Sequence, residues 1–268
     1  MQEKLGSMFE DVGELKQAEQ IYREAVETAT AVHQEHPEIA QGLRNTTSSH
    51  WYLGMLLDRQ GDHTAALENY RASLKASLDA RIADASVDPM RAGEMKYSVV
   101  VGRALCKLGQ AAEGVPLIRH GVEMALAGIE PDKGNRQSTY WGSELLTKAV
   151  EGLAAAGLRD EAKNLSLKMI GWVEEDAANA PTDGGPRLRL VNLYEQLGDA
   201  YSEYDSDAKK IGAADGSRLI EARRWYQQGL DQFNGIDETF RVSKFILQDR
   251  LRALQEKISA CGVQPSNK

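Results

Sequence analysis

The stretch Leu5-Gly6-Ser7-Met8-Phe9-Glu10-Asp11-Val12-Gly13-Glu14-Leu15-Lys16-Gln17-Ala18-Glu19-Gln20-Ile21-Tyr22-Arg23-Glu24-Ala25 decides the fold. Leu5, Met8 and Phe9 follow the i, i+3, i+4 rule of a helical stripe, and Ala18, Ile21, Tyr22 and Ala25 resume it after Gly13. The reading is two amphipathic helices separated by a glycine. Small residues at Gly6, Ala18 and Ala25 let the two axes approach closely, while Phe9 and Tyr22 fill the space beside them.

Working outward, the same skeleton returns with a constant step. Leu5-Gly6, Leu53-Gly54, Val101-Gly102, Ala149-Val150 and Leu197-Gly198 begin 48 residues apart. Gly13, Gly61, Gly109 and Gly157 keep that step, as do Ala18, Ala66, Gly114 and Ala162. Three unlinked markers in one register make an internal repeat, and one hairpin of this kind cannot bury its apolar face unless neighbours stack on it.

The markers resemble the tetratricopeptide repeat family, whose pattern sets Leu, Gly, an aromatic, Gly, Ala, an aromatic and Ala at fixed positions. The second unit supplies Leu53, Gly54, Leu57, Gly61, Ala66, Tyr70 and Ser73, the third Val101, Gly102, Leu105, Gly109, Gly114, Ile118 and Gly121, and the fifth Leu197, Gly198, Tyr201, Ala222, Tyr226 and Gly229. The fourth unit departs, with Val150 in place of the glycine and Ser166 in place of the aromatic. The family's period is ~34 residues. The surplus amounts to about two turns in each helix, which leaves unchanged the face each helix turns to its neighbour. The resemblance implies an all-α, right-handed superhelix (an α-solenoid) of five helix hairpins with a C-terminal capping helix. As one array, its units span about 1–36, 37–87, 88–130, 137–179 and 187–234, with the capping helix at about 238–261.

Boundary signals refine this picture. Pro37 ends a helix running from Glu14 to about Glu35, with the next beginning near Glu38. Asp88-Pro89 reads as an N-cap and first helical residue of a helix reaching about Leu108. Ala180 to Pro186 is a helix breaker, and Asp205 to Gly216 is a polar, glycine-containing insertion read as an exposed loop. Met1 falls inside the first helix, so the chain reads as part of something longer. Glu221-Ala222-Arg223-Arg224-Trp225-Tyr226-Gln227 resembles the C-terminal repeat region of bacterial serine/threonine protein kinases, although the sequence contains neither a Gly-rich phosphate loop nor His-Arg-Asp nor Asp-Phe-Gly.

Composition narrows the function. The chain has 268 residues, 42% hydrophobic and 27% charged, with mean hydropathy −0.46 and no apolar run approaching membrane length. No membrane insertion is expected. A net charge of −8 argues against a nucleic-acid partner, because such binding rests on neutralising phosphates with Lys and Arg. Cys106 and Cys261 form neither a disulfide framework nor a zinc set, and His33 and His36 lack a third ligand of defined geometry. Cys106, near Arg103 and Lys107, is a reactive thiol only if exposed, and the simpler expectation is a small packing residue. No cofactor and no catalytic constellation is expected.

What remains is binding. In the family resembled, the first helix of each hairpin lines a concave groove. Mapped onto this chain, that wall presents Trp51, Tyr52, Met55, Asp58 and Arg59 in the second unit and Lys96, Val99, Arg103 and Lys107 in the third. An aromatic anchor beside cations suits a protein or peptide partner carrying an acidic group. Trp51, Tyr52, Met55, Arg59, Lys96, Arg103 and Lys107 are therefore the candidate partner-binding residues, with packing of the two aromatics against the preceding unit as the alternative. The family's carboxylate-clamp Lys and Asn positions are occupied here by Trp51, Met55, Val99 and Arg103, so a chaperone tail is not the expected ligand. Acidic walls at Glu3 to Asp11 and at Glu195, Asp199 and Glu203 read as surfaces that repel wrong ligands or meet a basic partner. The rival roles are a sensory or scaffolding region of a bacterial signalling kinase and a homo-oligomer formed through the N-terminal end. A free-standing chain is expected in the cytoplasm, and a piece of a membrane kinase outside it.

Overall fold

The computed structural model describes residues 2–36, 40–83, 88–129, 136–203, 211–212, 214–236 and 245–262. Among them it is all-helical, and no helix is long and apolar enough to cross a membrane. The chain divides into two compact units, Met1–Ala125 and Leu126–Lys268. The first contains α1 (Gln2–Asp11), α2 (Leu15–Glu35), α3 (Ala40–Arg59), α4 (His63–Ala83), α5 (Asp88–Lys107) and nearly all of α6 (Ala111–Ile129). The second contains α7 (Arg136–Ala155), α8 (Arg159–Asn179), α9 (Gly184–Ser202), α10 (Gly216–Asn234) and α11 (Phe245–Ala260). Consecutive helices from α1 to α5 pack on one another, as do those from α7 to α11, and α7 also touches α9 directly.

Most of the 48-residue repeat lies in the helices. The α3, α5 and α7 helices have 20 residues each and α2, α4 and α8 have 21, while the connection inside each of the first four hairpins is only three residues long. So short a link works because Gly13, Gly61, Gly109 and Gly157 all adopt left-handed backbone, with φ of 81°, 84°, 75° and 78°. Each closes the same pair of hydrogen bonds. At Gly61 its own N–H reaches the Asp58 carbonyl at 3.2 Å and the next N–H, of Asp62, reaches Leu57 at 3.0 Å. This is the Schellman ending, and Asp62 at once serves as N-cap, its carbonyl accepting from Ala66 and its carboxylate from the Ala65 N–H at 3.0 Å.

Above the turn, glycine on the first helix lies under the large residue of the second. A Cβ on Gly54 would stand 2.8 Å from two ring atoms of Tyr70, and Gly6 meets Tyr22 and Gly198 meets Tyr226 in the same manner. All three tyrosines are almost fully buried, as are Ala18, Ala66, Ala162 and Ala222 at the small-residue position. The third hairpin replaces the ring by Ile118 and closes further, so that a Cβ on Gly102 would come within 2.6 Å of the Gly114 carbonyl. In the fourth, Val150 and Ser166 are 1% and 0% exposed, with the large residue moved to the first helix and the small one to the second. The departure noted in the sequence is a size exchange within a buried pair.

Several boundaries differ from expectation. The α5 helix starts at Asp88 itself and α9 starts at Gly184, inside the expected breaker. The Asp183 carboxylate accepts the Gly185 N–H at 2.9 Å, and Pro186 sits in the first turn, where its missing N–H has no helical partner to lose. The expected start near Glu38, most of the 205–216 insertion and the first turns of a capping helix from Glu238 lie outside the described residues. After α9, Glu203 takes the left-handed φ of 53°, and the Gly212 N–H returns to the Ser202 carbonyl at 3.1 Å.

Two glycines should therefore fail for different reasons. Gly61→Ala has open space around it and should lose roughly 1–2 kcal/mol through left-handed strain, which Gly61→Asn largely restores. Gly54→Ala should lose about 1–3 kcal/mol by overpacking against Tyr70, and Gly54→Asn should be worse. Urea unfolding of the four variants checks this, and equal behaviour of the two asparagine variants would contradict it.

Candidate functional site

The seven residues singled out in the sequence all fall in the first unit. Trp51 is 7% exposed; its ring centroid lies 5.5 Å from Tyr70 and 5.2 Å from Tyr97, and the Lys96 ammonium stands 3.6 Å above it. Tyr52 stacks on Tyr22 of the preceding hairpin at 5.7 Å, and Met55 packs half-buried on the same cluster. Arg59 reaches back to Glu10. Arg103 is buried and paired with Asp58, which also receives His63 Nδ1 at 2.8 Å. Of the seven, Arg59 and Lys107 are exposed, Tyr52, Met55 and Lys96 are half-buried, and Trp51 and Arg103 are held inside the unit.

Burial alone would raise the Asp58 carboxyl, but Arg103, His63 and Lys107 together outweigh it and hold the group below the usual carboxylate range. Cys106 is 3% exposed, and burial pushes its thiol up. A Cβ on Gly114 would lie 2.7 Å from its Sγ, so this cysteine fills the closest approach of α5 and α6 and has no activated thiolate. His33 belongs to the last turn of α2 and His36 caps it. Among the described residues, no group of three or more His, Cys, Asp or Glu side chains could hold a metal ion.

An open cavity of about 390 Å³ lies in the second unit, between α7, α9 and α11. Glu144, Thr147 and Glu151 line it from α7, Asn192, Gln196 and Asp199 from α9, and Arg250 closes it from α11. Glu195 and Asp199, on the α9 lining, are among the first-helix positions that the sequence marks as wall. Arg250 on the terminal helix carried no signal, because its face cannot be assigned until α11 is docked.

Docking of α11 also explains the acidic wall of the fifth unit. Lys257, 7% exposed, reaches Glu195 at 2.8 Å and Asp199 at 2.8 Å, and Arg250 reaches Glu195 at 3.0 Å. The Tyr226 hydroxyl donates to Asp199 at 2.7 Å and sits 2.8 Å from Ser202. Burial alone would raise the Glu195 carboxyl, but Lys257 and Arg250 hold it below its usual value. Burial prevails at Asp199, which is raised despite Lys257 and the tyrosine hydroxyl. The basic groups that this acidic wall meets include two from the chain's own last helix. Leu254 and Cys261 complete the attachment, joining the apolar cluster around Val191, Tyr226 and Phe233.

Breaking the Asp58–Arg103 pair should be costly, because the side chains are only 12% and 8% exposed. Arg103→Leu should lose about 3 kcal/mol by leaving a buried carboxylate short of its main partner, and Asp58→Leu/Arg103→Leu should recover much of it. With its folded pKa depressed, Asp58 contributes stability above its unfolded value of about 3.9, and that contribution is lost as pH falls through the folded value. Arg103→Leu should move the acid limb of the stability profile to higher pH, as measured by thermal melts across the acid range. An unmoved limb would contradict this role for the arginine.

No protein-family model matches the chain and no curated protein matches it, so its activity has to be read from its own side chains.

Proposed function

We propose that the chain is a tetratricopeptide-like scaffold that binds segments of other proteins along the inner faces of the first helices of its hairpins, and that it carries out no reaction. The observation that carries this reading is the cavity between α7, α9 and α11, two of whose walls, α7 and α9, are first helices in the repeat register. Its volume suits a few side chains of an extended or helical peptide, with polar groups on every wall to fix orientation. The repeated glycine turns and Gly–Tyr pairs support assignment of the hairpins to a tetratricopeptide-like solenoid. In the first unit, Arg59 and Lys107, with parts of Tyr52, Met55 and Lys96, offer a second polar-aromatic surface for the acidic peptide expected from sequence.

Self-association is a second reading, favoured by one observation. Leu5, Met8, Val12 and Leu15 are 42%, 64%, 72% and 43% exposed at the edge of the first unit. An apolar stripe of this kind is a contact surface for another chain. Light scattering that rises with concentration in the native chain and not in Met8→Glu/Val12→Glu would favour that reading.

The binding role is tested by selecting from a random peptide library displayed on phage against the immobilised protein. Enriched peptides should lose most of their affinity for Thr147→Trp, whose ring fills the cavity, while the variant keeps the native melting temperature. Absence of any enrichment, or peptides indifferent to the variant, would refute cavity binding.

A further inference from the structure

The cavity is lined by four carboxylates, Glu144, Glu151, Glu195 and Asp199, and by two guanidiniums, Arg250, which Glu195 takes up, and Arg189, which reaches Asp176 at 2.8 Å. Glu144 on α7 is exposed at its rim, and Glu151, two turns further along the same helix, receives the Gln196 amide at 3.3 Å. Opposite them, Asn192 and Gln196 stand one turn apart on α9, and the Asn192 Oδ1 and Gln196 Oε1 atoms are buried without a hydrogen-bond partner. A buried acceptor left unsatisfied costs about 1–3 kcal/mol, so these two amide oxygens favour an occupant that brings N–H donors. The structure also shows what such an occupant looks like. Glu195 takes a guanidinium from Arg250 and an ammonium from Lys257, and the Lys257 ammonium bridges on to Asp199. The chain's own last helix thus meets one side of this wall with cationic side chains.

Resting on the proposed binding role, we infer that the cavity between α7, α9 and α11 receives an arginine or lysine side chain of a partner peptide, its head group set among Glu144, Glu151, Asn192 and Gln196. The ligand class is a basic protein segment, opposite in charge to the one expected at the first unit. The planar fork of arginine fits best, since it can donate to a carboxylate on α7 and to the amide oxygens of α9 together.

Fluorescence anisotropy with a short labelled peptide of alternating arginine and alanine tests this, beside the same peptide with glutamate for arginine. The arginine peptide should bind, weaken as salt is raised, and lose roughly tenfold or more in affinity to Glu144→Gln/Glu151→Gln. Glu24→Gln/Glu27→Gln, which removes the same charge from exposed positions on α2, should bind it as the native chain does. Equal weakening in both double variants would mean only general attraction to an acidic protein and would overturn the inference, as would preference for the glutamate peptide. Spermine, a cation without a peptide backbone, should compete poorly, and competition as strong as that of the peptide would overturn the assignment to a protein segment. If library-selected peptides occupy the cavity while the arginine peptide does not, the basic ligand class falls and the binding role stands. If neither binds, both fall.

Discussion

Everything in each hairpin depends on how near two helix axes can come. Where glycine faces tyrosine, the ring lies against backbone and the gap between the helices closes without a cavity. Close axes in turn permit a three-residue link, and such a link demands a residue that accepts left-handed backbone while its neighbours cap both helices. Packing and turn chemistry therefore select one another. A wider hairpin would strand the Schellman carbonyls, and a longer turn would release the restraint that keeps Tyr70 over Gly54.

Charge plays a different part. Arg59 reaches Glu10 and Arg103 reaches Asp58, each from one first helix to the one before it, and Arg250 reaches Glu195 from the last helix to the first helix of the fifth hairpin. Such pairs add little net stability, because water screens the exposed Arg59 and, at the buried Arg103–Asp58 pair, removing both charges from water offsets most of their attraction. Their contribution is to alignment, since sliding a helix by one turn would leave a charge buried alone. The α11 helix shows this plainly, with apolar contacts around Leu254 giving adhesion and Lys257 between Glu195 and Asp199 giving position.

The hairpins were legible because their signal is local and repeated. Glycine at 13, 61, 109 and 157 has only one good use at a helix end, and a period of 48 residues repeats that use. The site was harder to read, since consecutive residues on a helix differ by about 100° of rotation and so a small error in facing turns a side chain from the open side to a packed one. Trp51 and Arg103, on α3 and α5, turn toward an adjacent helix, and a linear sequence does not separate that side of the helix from the open one. Glu195 and Asp199 were marked as wall, but their cationic partners on α11 lie more than 50 residues away and belong to no repeat marker. The left-handed Glu203 is the C-cap of α9, its N–H reaching the Asp199 carbonyl, and a glutamate in that place gives no sequence signal for it.

The reversed bulk at Val150 and Ser166 gives the fourth hairpin an identity the others lack. In an array of near-copies, a first helix can fold onto the wrong second helix, within one molecule or between two. Were α7 to mate with α4, two bulky groups would collide at one level, and were α3 to mate with α8, a void would open there. One inverted pair thus acts as a key cut differently from its neighbours, discouraging mistaken pairings while the chain assembles.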